Sequence, residues 1–145
     1  MHIEHTICHN IFFTKDLILY KLSSNTVQKK MDGCVGPAFP EFSYAKAYTC
    51  VALNVSSREF RDKYTKENDP GKIAQLNSFM AISGKFAAFP GGILLRNGDG
   101  QVVGAIGVSG AAGDEDEYGA LKGVWDSGLA ISTWPEEHSC ATALD

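Results

Sequence analysis

The chain has 145 residues, 44% hydrophobic and 21% charged, the balance of a globular protein that buries a core without metals or disulfides as staples. Thirteen basic residues against seventeen acidic ones give a formal charge of -4, which offers no electrostatic footprint for nucleic acid or an anionic membrane. Cys8, Cys34, Cys50 and Cys140 are scattered without C-x-x-C or zinc spacing, and Lys15 and Asp16 interrupt the N-terminal apolar runs, so reduced thiols, no membrane span and a cytoplasmic protein are expected.

Residues 1–30 are expected to form a divergent N-terminal segment. His2, His5 and His9 have a spacing that would share a helix face, as metal ligands do, but they sit in a polar chain end and no metal site is expected. Leu17 to Leu22 is a candidate strand, with Ser23-Ser24-Asn25 as a turn after it. The main domain is placed at 31–130, opening on a loop from Met31 to Pro40. Ser43 is a plausible N-cap for a helix running to about Val55, with Tyr48, Val51, Ala52 and Val55 as its buried stripe and Lys46 off it.

Ser56 and Glu59 have the spacing of a capping box, which predicts a second helix over about 57–67 with Phe60 and Tyr64 turned inward. Asp69 and Pro70 suit the N-cap and first position of a third, with Ile73, Leu76, Phe79 and Met80 on its apolar side. Met80 to Ala88 reads either as a strand pair or as a strand and loop. Ile93-Leu94-Leu95, the turn residues Asn97 to Gly100, and Gln101 to Ser109 predict an antiparallel hairpin.

In its second strand Val102, Ile106 and Val108 share one face, and Val103, Ala105, Gly107 and Ser109 the other. Both faces are apolar, so this is expected to be a central strand covered on both sides. A helix follows over about 114–127, with Asp114, Glu115, Asp116 and Glu117 in its first turn and Leu121, Val124, Trp125 and Gly128 facing inward. Residues 131–145 read as a C-terminal tail.

The glycine loop before that helix invites a phosphate-binding reading, but four carboxylates fill the first helical turn and the Lys of a P-loop is missing. Gly107-Val108-Ser109-Gly110-Ala111 has the outline of a nucleophile elbow. Here, however, the helix does not start directly after the serine, and the only later histidine is His138.

Gly91-Gly92, the run Gly104-Ala105-Ile106-Gly107-Val108-Ser109-Gly110, the pair Asp116-Glu117 and the upstream Lys46-Ala47-Tyr48-Thr49 together resemble the GlcG/HbpS family, which includes the C-terminal domain of PduO. Met31-Asp32-Gly33-Cys34 is similar to that family's M-D-G-A. Leu94 stands where proline is usual, and Cys50 replaces an alanine. The resemblance covers roughly residues 31–128.

It implies an α/β domain in which helices flank an antiparallel central sheet, of profilin or PAS-like outline, and a homo-oligomer with haem or a related tetrapyrrole as ligand. On that basis Lys46, Thr49, Gly91, Gly92, Ser109, Asp116 and Glu117 are the expected ligand-binding residues. Lysine suits a ligand carboxylate, and the glycines let a flat molecule approach the backbone. Two other functions stay open: an enzyme acting on a small organic acid with Asp116 or Glu117 as acid or base, and a structural oligomer without a ligand.

Overall fold

The computed structural model describes residues 16–21, 26–29, 37–97, 99–126 and 130–131. The histidine cluster, the turn at 23–25, the loop at 31–36, Gly128 and the tail at 132–145 lie outside them. In chain order the elements are β1 (Asp16–Lys21), β2 (Thr26–Lys29), α1 (Phe39–Leu53), α2 (Ser57–Thr65), α3 (Pro70–Ile82), β3 (Gly92–Arg96), β4 (Val102–Ser109), α4 (Gly113–Asp126) and β5 (Ala130–Ile131). The strands form one antiparallel sheet in the order β2-β1-β4-β3-β5, with β4 at its centre as its two apolar faces predict.

The alternation of side chains along β3 and β4 assigns each face of the sheet to a different helix. Ile93, Leu95, Ile106 and Val108 pack with Ala120, Leu121 and Val124 of α4. Leu94 and Ala105 pack with Ala47 and Cys50 of α1. The protein is therefore α/β, with an antiparallel central sheet flanked by helices. Helix α2 lies beside α1 and α3 packs against α2, where Phe60 stands 5.3 Å from Phe79 and 5.6 Å from Tyr64, and Phe79 stands 4.8 Å from Phe86. Among the described residues no helix is long and apolar enough to cross a membrane.

The two middle helices start where their capping residues say. Ser56 Oγ accepts from the Glu59 N–H while Glu59 accepts from the Ser56 N–H, and the Asp69 side chain accepts from the Gly71 N–H ahead of Pro70. The hairpin turn is fixed by Asn97, whose Oδ1 accepts from the N–H groups of Asp99 and Gln101.

Helix α1 departs from expectation in two ways. It begins at Phe39, with Pro40 in its first turn, so Ser43 is an interior residue whose hydroxyl donates to the Pro40 carbonyl. Its buried side is Ser43, Lys46, Ala47, Thr49 and Cys50, whereas Ala52 is exposed and Tyr48, Val51 and Val55 are only half-buried. The face that enters the core is the one with small side chains, because α1 approaches β4 too closely for large ones. A Cβ on Gly107 would stand 2.0 Å from the Ser43 carbonyl oxygen.

Three further expectations change. Residues 83–91 form no strand, and α3 runs on to Ile82. Val103 is an extra residue at a bulge, since Leu95 pairs with Gly104 but Arg96 with Val102. The bulge turns Val102 toward the Ala105 face instead of the Ile106 face. Trp125 is 54% exposed, while Ala120, Leu121 and Val124 carry the α4 contact.

Candidate functional site

At the C-terminal end of β4, α1, α2, the segment 89–90 and the start of α4 enclose a cleft of about 300 Å³. Its lining divides into an apolar wall and a polar floor. The wall is Phe39, Phe42, Phe89 and Pro90. Phe39 and Phe42 lie three apart on α1 and so share its side, meeting edge to face with centroids 6.0 Å apart; Phe42 meets Phe89 in the same way at 6.1 Å. Phe42 and Phe89 keep 41% and 38% of their surface exposed, so two rings face outward.

The floor is a buried ion pair that joins the layers on the two sides of the sheet. Lys46 of α1 passes the end of the sheet, and its Nζ donates to Asp116 Oδ2 of α4 and to the Val108 carbonyl of β4, each at 2.8 Å. Its ammonium also stands 4.9 Å from the centre of the Phe89 ring. Asp116 Oδ1 accepts from the Ala111 N–H at 3.0 Å, and Glu115 accepts from the Ala112 N–H at 3.3 Å. Two of the loop amides that a phosphate would need, those of Ala111 and Ala112, are thus already bonded to carboxylates of the same chain.

Of the expected site residues, Lys46, Ser109 and Asp116 come together on the cleft. Gly91 and Gly92 are taken up by packing. A Cβ on Gly91, whose φ is +117°, would lie 2.7 Å from Lys46 Nζ, and one on Gly92 would lie 2.6 Å from the Lys46 carbonyl oxygen. Thr49 is fully buried away from the cleft, its hydroxyl donating to the Ala45 carbonyl and accepting from the Ala87 N–H, both at 2.8 Å. Glu117 is also fully buried and accepts from Arg58 Nε of α2; the same guanidinium donates to Asp114. Burial pushes the Glu117 carboxyl up to about 6, against the pull of Arg58 in the other direction. Burial likewise pushes the Cys50 thiol well above its usual range, so it is a core residue rather than a nucleophile.

The aromatic wall and Arg61 were missed in the sequence. A helix that starts at Ser43 puts Phe39 in the loop before it and Phe42 ahead of its N-cap, where their shared side is invisible. Pro40, suited to a first helical turn, was the available signal. Arg61 carries no sequence signal of its own, since it is one of several charged residues on α2.

The haem degrading protein HbpS-like family model matches residues 22–124. Among solved structures, the PduOC:heme complex superposes with a TM-score of 0.67 at 21% identity, covering 82% of each chain. Klebsiella pneumoniae ORFY gives 0.65 at 21% identity, over 79% of this chain and 74% of that one. HbpS gives 0.61 at 28% identity, over 77% of this chain and 72% of that one. No curated protein sequence matches. With the fold and the motif residues agreeing over that span, the chain belongs to the HbpS-like family.

Proposed function

We propose that the protein is a ligand-binding domain whose cleft takes a flat, carboxylate-bearing molecule, with haem or a related tetrapyrrole the leading candidate. The observation that carries this reading is the wall of Phe39, Phe42 and Phe89 beside the guanidinium of Arg61. Outward-facing phenyl rings stack on a flat π-system, and a cation completes the recognition of its acidic edge. A structural relative being a haem complex supports the same ligand class.

The described lining fits the ring and carboxylates of haem rather than its iron, since it contains no His, Cys, Met or Tyr. The cleft lies at the small end of the ~300–1,000 Å³ range of small-molecule sites, so a tetrapyrrole would enter by one edge and leave the rest across Phe42. Titrating the protein with haemin and recording absorbance tests this directly. A shifted band that saturates is expected, and Phe42→Ala should weaken binding about 3- to 10-fold through loss of one ring contact. An unshifted spectrum at saturating protein overturns the proposal.

The enzymatic reading has less support. A general base needs a lone pair turned to the substrate, whereas Asp116 spends both oxygens on Lys46 and Ala111. Glu117 titrates in a useful range but faces Arg58 and does not line the cleft. A homo-oligomeric state and a cytoplasmic location belong to the same proposal; light scattering after size exclusion and cell fractionation read them.

A further inference from the structure

Four charged side chains line the cleft: Lys46, Arg61, Asp114 and Asp116. Three are committed to partners that hold the fold. Lys46 and Asp116 hold each other in the floor at 1% and 2% side-chain exposure, and Asp114 accepts from Arg58, which also holds buried Glu117. Using any of these for a ligand would break a contact between elements.

Arg61 differs. Its Nε and Nη2 both point at one oxygen of Asp62, the next residue on the same helix, each at 2.7 Å. Arg61 and Asp62 side chains are 33% and 37% exposed, and an exposed pair of this kind contributes little to stability. A guanidinium has five N–H donors in a planar fork that matches a carboxylate, and the contact with Asp62 uses two of them. Arg61 can therefore turn from Asp62 to a ligand without disturbing the sheet, the helices or the Lys46–Asp116 floor.

We propose that Arg61 is the anion-recognising residue of the cleft. It grips a ligand carboxylate in a bidentate pair while the ligand's ring lies against Phe42 and Phe89. The ligand class is then a ring-bearing carboxylic acid, selected by its acidic edge. This inference rests on the ligand-binding reading of the cleft and adds the residue that sets its specificity.

The test compares haemin with haemin dimethyl ester, in which both carboxylates are blocked, on the wild-type protein and on Arg61→Gln and Arg61→Lys, by absorbance titration. The wild type should prefer haemin over its ester by about 10-fold or more, the usual effect of a charge-assisted pair. Arg61→Gln should bind the two alike, and Arg61→Lys should regain part of the preference as a point charge without the fork. Because Arg61 is a partly exposed helix residue, the variants keep the fold, and circular dichroism matching wild type checks this. If Arg61→Gln still prefers haemin by the wild-type ratio, the role of Arg61 is overturned while the cleft remains a ligand site. If neither compound shifts its spectrum on the wild type, the ligand reading fails, and with it this inference.

Discussion

Replacing Gly107 by alanine tests whether the glycines of β4 serve the packing of α1 rather than the approach of a ligand. The added Cβ would lie 2.0 Å from the Ser43 carbonyl oxygen and 2.8 Å from the Ala47 nitrogen, both backbone atoms of α1. No side chain can swing away, so the helix itself must rise. Bringing the oxygen contact to 3.0 Å, still tighter than most real Cβ contacts, means lifting α1 by about 1 Å from the sheet. That shift opens the cluster of Ala47, Cys50, Leu94 and Ala105 along its length. Overpacking costs ~1–3 kcal/mol where neighbours yield, and a backbone neighbour puts Gly107→Ala at the upper end or beyond. At roughly 2–4 °C per kcal/mol, the melting temperature should fall by about 6–12 °C. The matched control is Gly84→Ala, where nothing lies within 4 Å of the new Cβ. That change should be neutral or stabilise by up to ~1 kcal/mol through the unfolded chain. Urea unfolding of both variants at equal m-value makes the comparison. A Gly107→Ala protein within ~0.5 kcal/mol of wild type would refute the packing argument.

Lys46→Met should destabilise by about 3–5 kcal/mol, because it leaves Asp116 charged and buried without its lysine and the Val108 carbonyl without its donor. Adding Asp116→Asn should recover part of that loss in urea unfolding, whereas a single-variant cost under ~1 kcal/mol would show that the pair is not a structural lock. For Glu117, the folded carboxyl titrates near 6 against a usual 4.5, so its contribution is fully present below pH 4.5 and lost as pH rises through 6. The gap between these two values corresponds to about 2 kcal/mol. Stability measured at pH 4.5 and pH 7 should therefore shift in favour of Glu117→Gln over wild type by about that amount at the higher pH, and a pH-independent difference between the two proteins would contradict it.

Elements whose signals are local were legible in the sequence. The capping box at Ser56 and Glu59, the Asp69-Pro70 start and the Asn97 turn each specify their own geometry through bonds within five residues, and each was placed correctly. The orientation of α1 was not legible, because periodicity ranks residues by hydrophobicity while the sheet ranks them by size. Tyr48 and Val51 look like core, yet Ser43, Ala47 and Cys50 enter it because Gly92 and Gly107 leave space for nothing larger. For the same reason Lys46 looked like a surface residue. Its partners Val108 and Asp116 lie 62 and 70 residues away, and only the assembled sheet with its helices brings them to its ammonium.

These partners also separate two kinds of residue that the sequence motif mixes. Most of the residues that carried the family resemblance belong to the internal frame. Gly92 and Gly107 admit α1, Gly91 leaves room for the Lys46–Asp116 pair that ties the two faces of the sheet, Thr49 holds the Ala87 amide and Glu117 holds α2 through Arg58. A frame of this kind specifies where a cleft opens, at the end of β4, while leaving its chemistry to residues outside the motif. Here those are Phe39, Phe42 and Phe89 on the wall and Arg61 on the rim, where Arg61 is bonded to its neighbour Asp62. Substitutions in the frame should therefore appear first as lost stability, and substitutions at the wall and rim as altered binding in a protein that still folds. Unfolding and ligand titration measured side by side separate the two groups, since only the frame variants should change both the unfolding midpoint and the ligand titration.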